Sequence, residues 1–530
     1  MSSKLMDSTV TGNKGRGSAV PPTRSEWIRS AVSLVWCRRR NGWVSAVVVV
    51  GLYALVAGWL TPRGPVTTGQ ALAAIGVSLL VGAAAGLATR SRWAMLVAPA
   101  TFVAVFELAR MTTTGPLVDG IHLGSVYGII AFASGRVLHG VLALLPMLLG
   151  AAVGAGSARH LSGVRHRRGW LRSTLRWGRR STTALLAVGL VVLTAGLARP
   201  ATTAPILGPD GRPLAGSVAE LRRLEVNGLP LSMMIRGDSV TNPVLLYLAG
   251  GPGGSDLGGL RRNSQNLEQA FTLVSYDQRG AGKSDESLDP ISTLTVAGAV
   301  SDAVAVTDYL RERFHQDKIY LVGNSWGSML GVLAAQQHPE KYAAFVGSGQ
   351  MVDPAATDRV YYQDTLAWAT RTTNTALVEQ LTRNGPPPYA DALNYEPVLT
   401  NEQKVYPYDD TTLAEGQAGF SENLFHPEYS LIEQLHLVSG VLNAFSFLYP
   451  QLQDIDFRTQ VTALQIPVYL VQGGHETPGR AEPATEWFQQ LQAPRKQLIT
   501  FENSGHRALF QEPDRFYQVM TATVLAQTRR

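Results

Sequence analysis

The chain reads as α/β in its last two thirds, a mostly parallel sheet with helices on both faces, preceded by an all-α region of transmembrane type. Three observations predict this. Apolar runs of membrane length crowd residues 43–200. Arginines gather at the ends of those runs rather than across the chain. From about residue 240, short apolar runs ending in glycine-rich turns alternate with segments of helical periodicity, the pattern of parallel strands joined by crossover helices.

A helix needs about 20 apolar residues to cross a bilayer. Trp43 to Leu60 meets this, with a tryptophan near each end where an interfacial ring would sit. Ala71 to Ala88, Trp93 to Ala109 (despite Pro99 and Glu107), Val141 to Ala158 and Ala184 to Ala198 follow. The run from Ile121 to Val137 is weaker and carries a histidine and an arginine. Five crossings put Arg38 to Arg40, the Arg90/Arg92 loop and the dense Arg159 to Arg180 segment on one side, and the loops with Arg63 and Asp119 on the other. Counting the weak run as a sixth would reverse the placement of the densest basic loop. Five therefore satisfies the positive-inside rule, with 121–137 at the interface or re-entrant, and it exports everything after Pro200. A polar stretch of some forty residues precedes the first run, which argues against a cleaved signal peptide. Glu107 is the one acid inside a span, too little for an ion pathway, so anchoring is the expected role.

The net charge of +6 invites a nucleic-acid reading, but its clustering around the apolar runs is what membrane topology demands. The expected partners are a lipid bilayer and a small substrate, not nucleic acid. A single cysteine, Cys37, precludes an intrachain disulfide and a cysteine-based metal site. No metal or cofactor is called for.

Asn242 to Ser255 is an apolar run followed by the glycine burst "AGGPGG", and Phe271 to Ser284 another ending in "DQRGAGKS". Leu294 to Phe314 has helical spacing. Then "KIYLVG" leads into Gly323-Asn-Ser325-Trp-Gly327 and a further helical stretch. With 52 glycines in the chain, G-x-S-x-G alone is a common pattern; between a strand and a helix it is a nucleophile elbow, which thrusts its serine hydroxyl out at the sheet's edge.

Serine is a weak nucleophile and needs a base, itself oriented by a carboxylate, in the chain order Ser, acid, His. Downstream, "IPVYLVQGGHETPGR" ends a strand in a turn bearing Glu476, and "KQLITFENSGH" leads from a strand to His506. The catalytic set is therefore Ser325, Glu476 and His506; Glu482 and Glu502 lie near enough to compete with Glu476. The developing oxyanion needs backbone donors: Trp326, next after the serine, and Gly251 in the glycine burst. This divides the chain into a polar, basic cytoplasmic segment 1–42, a transmembrane region 43–200, a first core part 201–348, a helical lid 349–456 and a closing core part 457–530. Aromatics of the lid (Tyr361, Tyr362, Trp368, Tyr389, Phe420, Phe425) line the pocket or form the lid's own small core.

"GGPGG" at Gly250 to Gly254, "DQRGAGKS" at Asp277 to Ser284, "GNSWGS" at Gly323 to Ser328 and "SGH" at Ser504 to His506 resemble, in sequence and order, the proline iminopeptidase-like branch of the α/β-hydrolase superfamily. The likeness spans about residues 220–525. It implies an α/β-hydrolase fold with a helical cap, and an aminopeptidase cleaving N-terminal residues, often proline, from short peptides through an acyl-enzyme. Ala249 and Glu476 stand where the family commonly has histidine and aspartate. The cap glutamates and tryptophan-rich motif that hold the substrate amine have no clear copy in 349–456. A carboxylic ester or amide hydrolase of the same fold is the alternative expectation, an inactive hydrolase-like binding module a second. Substrate identity and oligomeric state stay open.

Overall fold

The computed structural model describes residues 39–161, 170–408 and 423–529. Cys37, Arg38, the middle of the 159–180 basic segment and Phe420 lie outside these. Among the described residues, five N-terminal helices, α1 (Arg39–Leu60), α2 (Thr68–Thr89), α3 (Ala94–Ala109), α4 (Val126–His160) and α5 (Trp170–Ala198), form a bundle. By length and hydropathy α1, α2, α4 and the Ser181–Ala198 part of α5 are able to cross a membrane; α3, with Pro99, is shorter at 16 residues. The outer faces of α1 and α5 expose Leu52, Leu55, Trp59, Leu185, Val188 and Val191, a composition suited to lipid and costly in water.

The weak run 121–137 joins the fourth span. From Val126 it is helical and collinear with the fourth span, through a π-turn at Ala133–Val137, making one 35-residue helix. At 1.5 Å per residue that is about 52 Å, well beyond a hydrocarbon core of about 30 Å. The excess is stabilised by protein: the Glu396 carboxylate accepts from the Val126 and Tyr127 amides (2.7 and 2.8 Å), satisfying donors that a helix start leaves orphaned.

The remainder is an eight-stranded sheet of order β1-β2-β4-β3-β5-β6-β7-β8: β1 (Val218–Val226), β2 (Leu229–Gly237), β3 (Val244–Leu248), β4 (Thr272–Asp277), β5 (Ile319–Asn324), β6 (Tyr342–Ser348), β7 (Val468–Gly473) and β8 (Lys496–Phe501). β2 runs antiparallel to both β1 and β4, and all later pairs are parallel. The inner strands β3, β4 and β5 are buried at every position, as strands covered on both faces must be. Helices α6 (Val296–Phe314) and α7 (Trp326–Gln337) contribute to that cover. Between β6 and β7 the chain leaves the sheet to build the lid from α8 (Pro354–Arg371), α9 (Thr375–Asn384) and α10 (Leu431–Leu448), then returns to the sheet, where α11 (Pro478–Gln490) joins β7 to β8.

The two regions share an interface. Leu431, Ile432 and Leu435 of α10 pack with Ala71, Ile75, Leu190 and Leu197 of the bundle. The Pro65 carbonyl lies 3.2 Å from His436 Nε2, and Arg63 pairs with Asp289 at 3.4 Å. These contacts place the C-terminal ends of α1 and α5 and the N-terminal ends of α2 and α4 on the side of the sheet domain. Arg39, Arg40, Arg90, Arg92 and Arg159 lie at the far end. Leu431–Leu452 is itself apolar enough to cross a membrane, but its surface is divided between bundle and core.

Candidate active site

Strand β5 ends at Asn324 and α7 starts at Trp326, leaving Ser325 alone at the corner with φ 54° and ψ −124°. That backbone costs a residue with a Cβ on the order of 1–3 kcal/mol and turns its hydroxyl outward. The corner explains its glycines. A Cβ on Gly323 would lie 2.3 Å from the Gly327 carbonyl oxygen, and one on Gly327 2.0 Å from that of Leu248. The Ser325 hydroxyl donates to Met351 Sδ at 3.5 Å, a weak acceptor that leaves it free to rotate.

The loops after β7 and β8 are joined by Gly474 N–H to Phe501 O (2.7 Å) and His475 N–H to Ser504 O (2.9 Å). They bring Glu476 Oε2 to 2.6 Å from His506 Nδ1. The other oxygen, Oε1, accepts from the Thr477 amide and Arg480 Nε, both at 2.9 Å. Burial alone would raise the Glu476 carboxyl's pKa; the charges and hydrogen bonds of His506 and Arg480 outweigh it and hold the group well below the usual carboxylate range. Arg480 continues to Glu402 of the lid at 2.5 Å. Tyr361 of α8 donates to Glu402 (3.1 Å) and shares a proton position with Thr477 Oγ1 (2.5 Å). Acid, arginine and lid thus form one closed ring. Of the competitors, Glu482 and Glu502 make no contact with His506 among the described residues.

Ser325, His506, Gly250, Gly251, Asp256, Arg507 and lid residues Leu437 and Val441 line one cavity of about 210 Å³. A Cβ on Gly250 would sit 3.2 Å from that of Ser325, so the glycine loop passes directly over the serine. Gly251 holds φ 123°, open to glycine and strained for other residues. Trp326 is the first residue of α7, so its amide is one of the helix's unclaimed donors. Gln278, in the "DQRG" turn, ties the two donor segments together: its amide nitrogen donates to Ala249 O (2.9 Å) and its oxygen accepts from the Trp326 indole (2.9 Å). Arg279 beside it makes a two-pronged pair with Asp302 (2.5 and 2.7 Å). Sequence reasoning gave no role to Gln278, Arg480, Met351 or Asp256. Arg480 carried a signal, four residues after Glu476 at the start of a helix.

Of the lid aromatics, Tyr361, Tyr362 and Trp368 belong to the lid's own cluster, and Tyr389 packs into the main core. None of these lines the cavity; Phe425 is 87% exposed.

A family model described as "alpha/beta hydrolase fold" matches residues 243–513. The chain belongs to that family. Among curated proteins it is 28% identical over 306 residues to a probable aminopeptidase, YbaC, of Bacillus subtilis (strain 168), spanning 58% of this chain and 96% of that protein. A proline iminopeptidase of Saccharolobus solfataricus is 24% identical over 287 residues, 53% of this chain and 84% of that one. Solved structures include a proline iminopeptidase-related protein of Thermus thermophilus (22% identity, 59% of this chain and 98% of that one, TM-score 0.38). A proline iminopeptidase of Mycobacterium smegmatis gives 17% identity, 58% and 99% coverage, and a TM-score of 0.43. The first 200 residues fall outside the family match.

Proposed function

We propose that the protein is a membrane-anchored serine hydrolase that works through an acyl-enzyme, an aminopeptidase of the proline iminopeptidase type. The observation that carries this is the strained Ser325 corner opening into the same cavity as a His506 already paired with a buried, ionised Glu476. Ser325 Oγ attacks the scissile carbonyl and His506 takes its proton. The amides of Gly251 and Trp326 receive the oxyanion. His506 then protonates the departing amine, and water releases the acyl group by the reverse sequence. The relatives named as aminopeptidases support the peptide substrate. The basic end of the bundle faces the cytoplasm by the positive-inside rule, which exports the hydrolase domain.

Among the described residues, four lid glutamates are engaged away from the cavity. Glu396 caps α4, Glu402 binds Arg480, Glu428 binds Arg261 (3.0 Å) and Glu433 binds Lys283 (2.7 Å). Among the described residues the carboxylate that lines the cavity is Asp256, held by the Tyr247 hydroxyl at 2.8 Å and near Arg507 at 3.3 Å. The engagement of these four glutamates elsewhere favours a second reading, an ester or amide hydrolase needing no amine.

A fluorophosphonate reports the nucleophile: it labels Ser325 in the folded chain, and no labelling would leave a binding module. Proline and other amino-acid naphthylamides against short acyl esters separate peptidase from esterase. Asp256→Asn is expected to raise KM about tenfold for amine-bearing substrates, as loss of a charge-assisted contact of about 1.5 kcal/mol would, and to spare the esters. Equal effects on both would remove Asp256 from amine binding.

A further inference from the structure

Two connections link the catalytic cavity to the apolar helix bundle. The first is α10. Leu437 and Val441, one turn apart, line the cavity with Ser325, while Leu431, Ile432 and Leu435 of the same helix pack on the outer ends of α2 and α5. A helix is about 10 Å across, so one helix thickness separates cavity and bundle.

The second connection is the cavity rim. Asn423 lines the cavity, and two residues on, at most about 7 Å of backbone away, Phe425 is 87% exposed with φ 62°. Positive φ is a genuine outlier for a bulky residue, and among the described residues this ring makes no aromatic or cation contact. The segment is firmly placed. The Thr202 amide donates to Pro427 O at 2.8 Å, and the Thr203 hydroxyl donates to the buried Glu428 at 2.9 Å. Thr202 is only four residues beyond Ala198, where α5 ends. Phe425 is thus tied, through Pro427 and Thr202, to within about 20 Å of chain from the end of an apolar helix of membrane length, and an exposed apolar ring there gains by burial in lipid.

We propose that the catalytic cavity opens at the membrane surface and takes amphiphilic substrates. The reacting end enters the cavity, the apolar remainder stays in the leaflet that holds the bundle, and Phe425 is the rim's contact with that leaflet. This rests on the serine hydrolase reading and names its substrate class. A cavity of about 210 Å³ admits an end group rather than a long chain, so the rest of the substrate must lie outside it. A substrate confined to the same bilayer reaches the cavity at a local concentration far above its bulk value.

The test uses the full chain in phosphatidylcholine–phosphatidylglycerol nanodiscs and two fluorophosphonates, one bearing a hexadecyl chain and one a short polyether. The lipid-dissolved probe is expected to label Ser325 at least about tenfold faster. A cavity facing away from the bilayer would meet a probe depleted from water, so a ratio of one or less overturns the proposal. Phe425→Ser is expected to cut the ratio to below about threefold and Phe425→Trp to restore it; a ratio indifferent to both overturns the role of the rim. Failure of both probes to label Ser325 would instead strike the serine hydrolase reading itself, and the proposal with it.

Discussion

Between α2 and α4 the two backbones touch. A Cβ on Gly82 or Gly86 would lie 2.1 or 2.2 Å from the carbonyl oxygens of Met147 and Ala151, and one on Gly150 or Gly154 2.1 or 2.0 Å from those of Leu79 and Ala83. The hydrolase core is filled instead by its largest side chains: Trp326, Trp487, Tyr342, Phe345 and Phe457 are almost wholly buried. The difference is the one that the proposed membrane anchoring predicts. Water expels large apolar surface at about 25 cal/mol per Å², so the core gains most from big residues. Lipid tails give no such drive, and membrane helices associate by close van der Waals contact, which small residues permit.

The comparison breaks most sharply at the site. His506→Ala is expected to lower turnover by about 10⁶ and Glu476→Gln by about 10⁴, because both act on proton transfer at the site; each also leaves part of the buried network of Glu476, His506 and Arg480 unpaired. Turnover within tenfold of wild type in either variant would discard the triad. Next come two substitutions of opposite sense. Gly86→Leu overpacks the bundle and is expected to cost about 3 kcal/mol or more, read as loss of folded protein in mild detergent. Phe345→Ala empties the core and is expected to cost about 3–5 kcal/mol, with the bundle still extracted intact. A bundle that accepted Gly86→Leu without change would mean that backbone proximity is not what holds α2 to α4.

Much of this was legible along the chain because its signals are local. The turns after β3, β4, β5, β7 and β8 carry their own motifs, and the family match covers that same stretch. The hairpin of β1 and β2 went unread although Asn227-Gly228 is a turn pair whose residues both adopt positive φ (50° and 78°). So did Gly82/Gly86 and Gly150/Gly154, each a small-x-x-x-small pair in an apolar run. The extension of α4 was hidden for another reason. A weakly apolar helix is stable there because Glu396, some 270 residues away, caps it. The ring through Arg480, Glu402 and Tyr361 is likewise tertiary: spacing suggests the pair with Glu476, but nothing local points to the lid.

That ring makes the third prediction. Glu476 faces His506, Arg480, Glu402 and Tyr361, with His475 beside it and Glu502 behind the turn. Arg480→Met removes a cation and a hydrogen bond that help to hold the Glu476 carboxyl low, so that carboxyl protonates at a higher pH than in the wild type. It must be ionised to orient the base. The acid limb of the kcat/KM profile should therefore move upward, with the loss of activity greatest in acid. Arg480→Lys should keep the limb near its original place. A uniform loss at every pH would give Arg480 a packing role only.

The smallest effect compares one hydrogen bond in each region. Tyr53 of α1 meets Ser78 of α2 at 2.8 Å; Tyr53→Phe is expected to cost about 0.6 kcal/mol, since the dissociated helices find other partners in the membrane. Tyr449 donates to Asp358 at 2.7 Å within the lid, where burial, countered by that bond and by Gln453, raises the carboxyl to about 6. Tyr449→Phe leaves a buried acceptor short of a donor and is expected to cost about 1–3 kcal/mol. Because the folded carboxyl sits above its unfolded value, the unfolded chain ionises first as pH rises, and stability falls between pH 4 and 6. Removing the donor pushes the folded value higher still, so the penalty of Tyr449→Phe should be greater at pH 7 than at pH 5, while that of Tyr53→Phe stays flat. Equal, pH-independent penalties would mean that the lid bond is no more exposed to its carboxylate's charge than the bundle bond is to none.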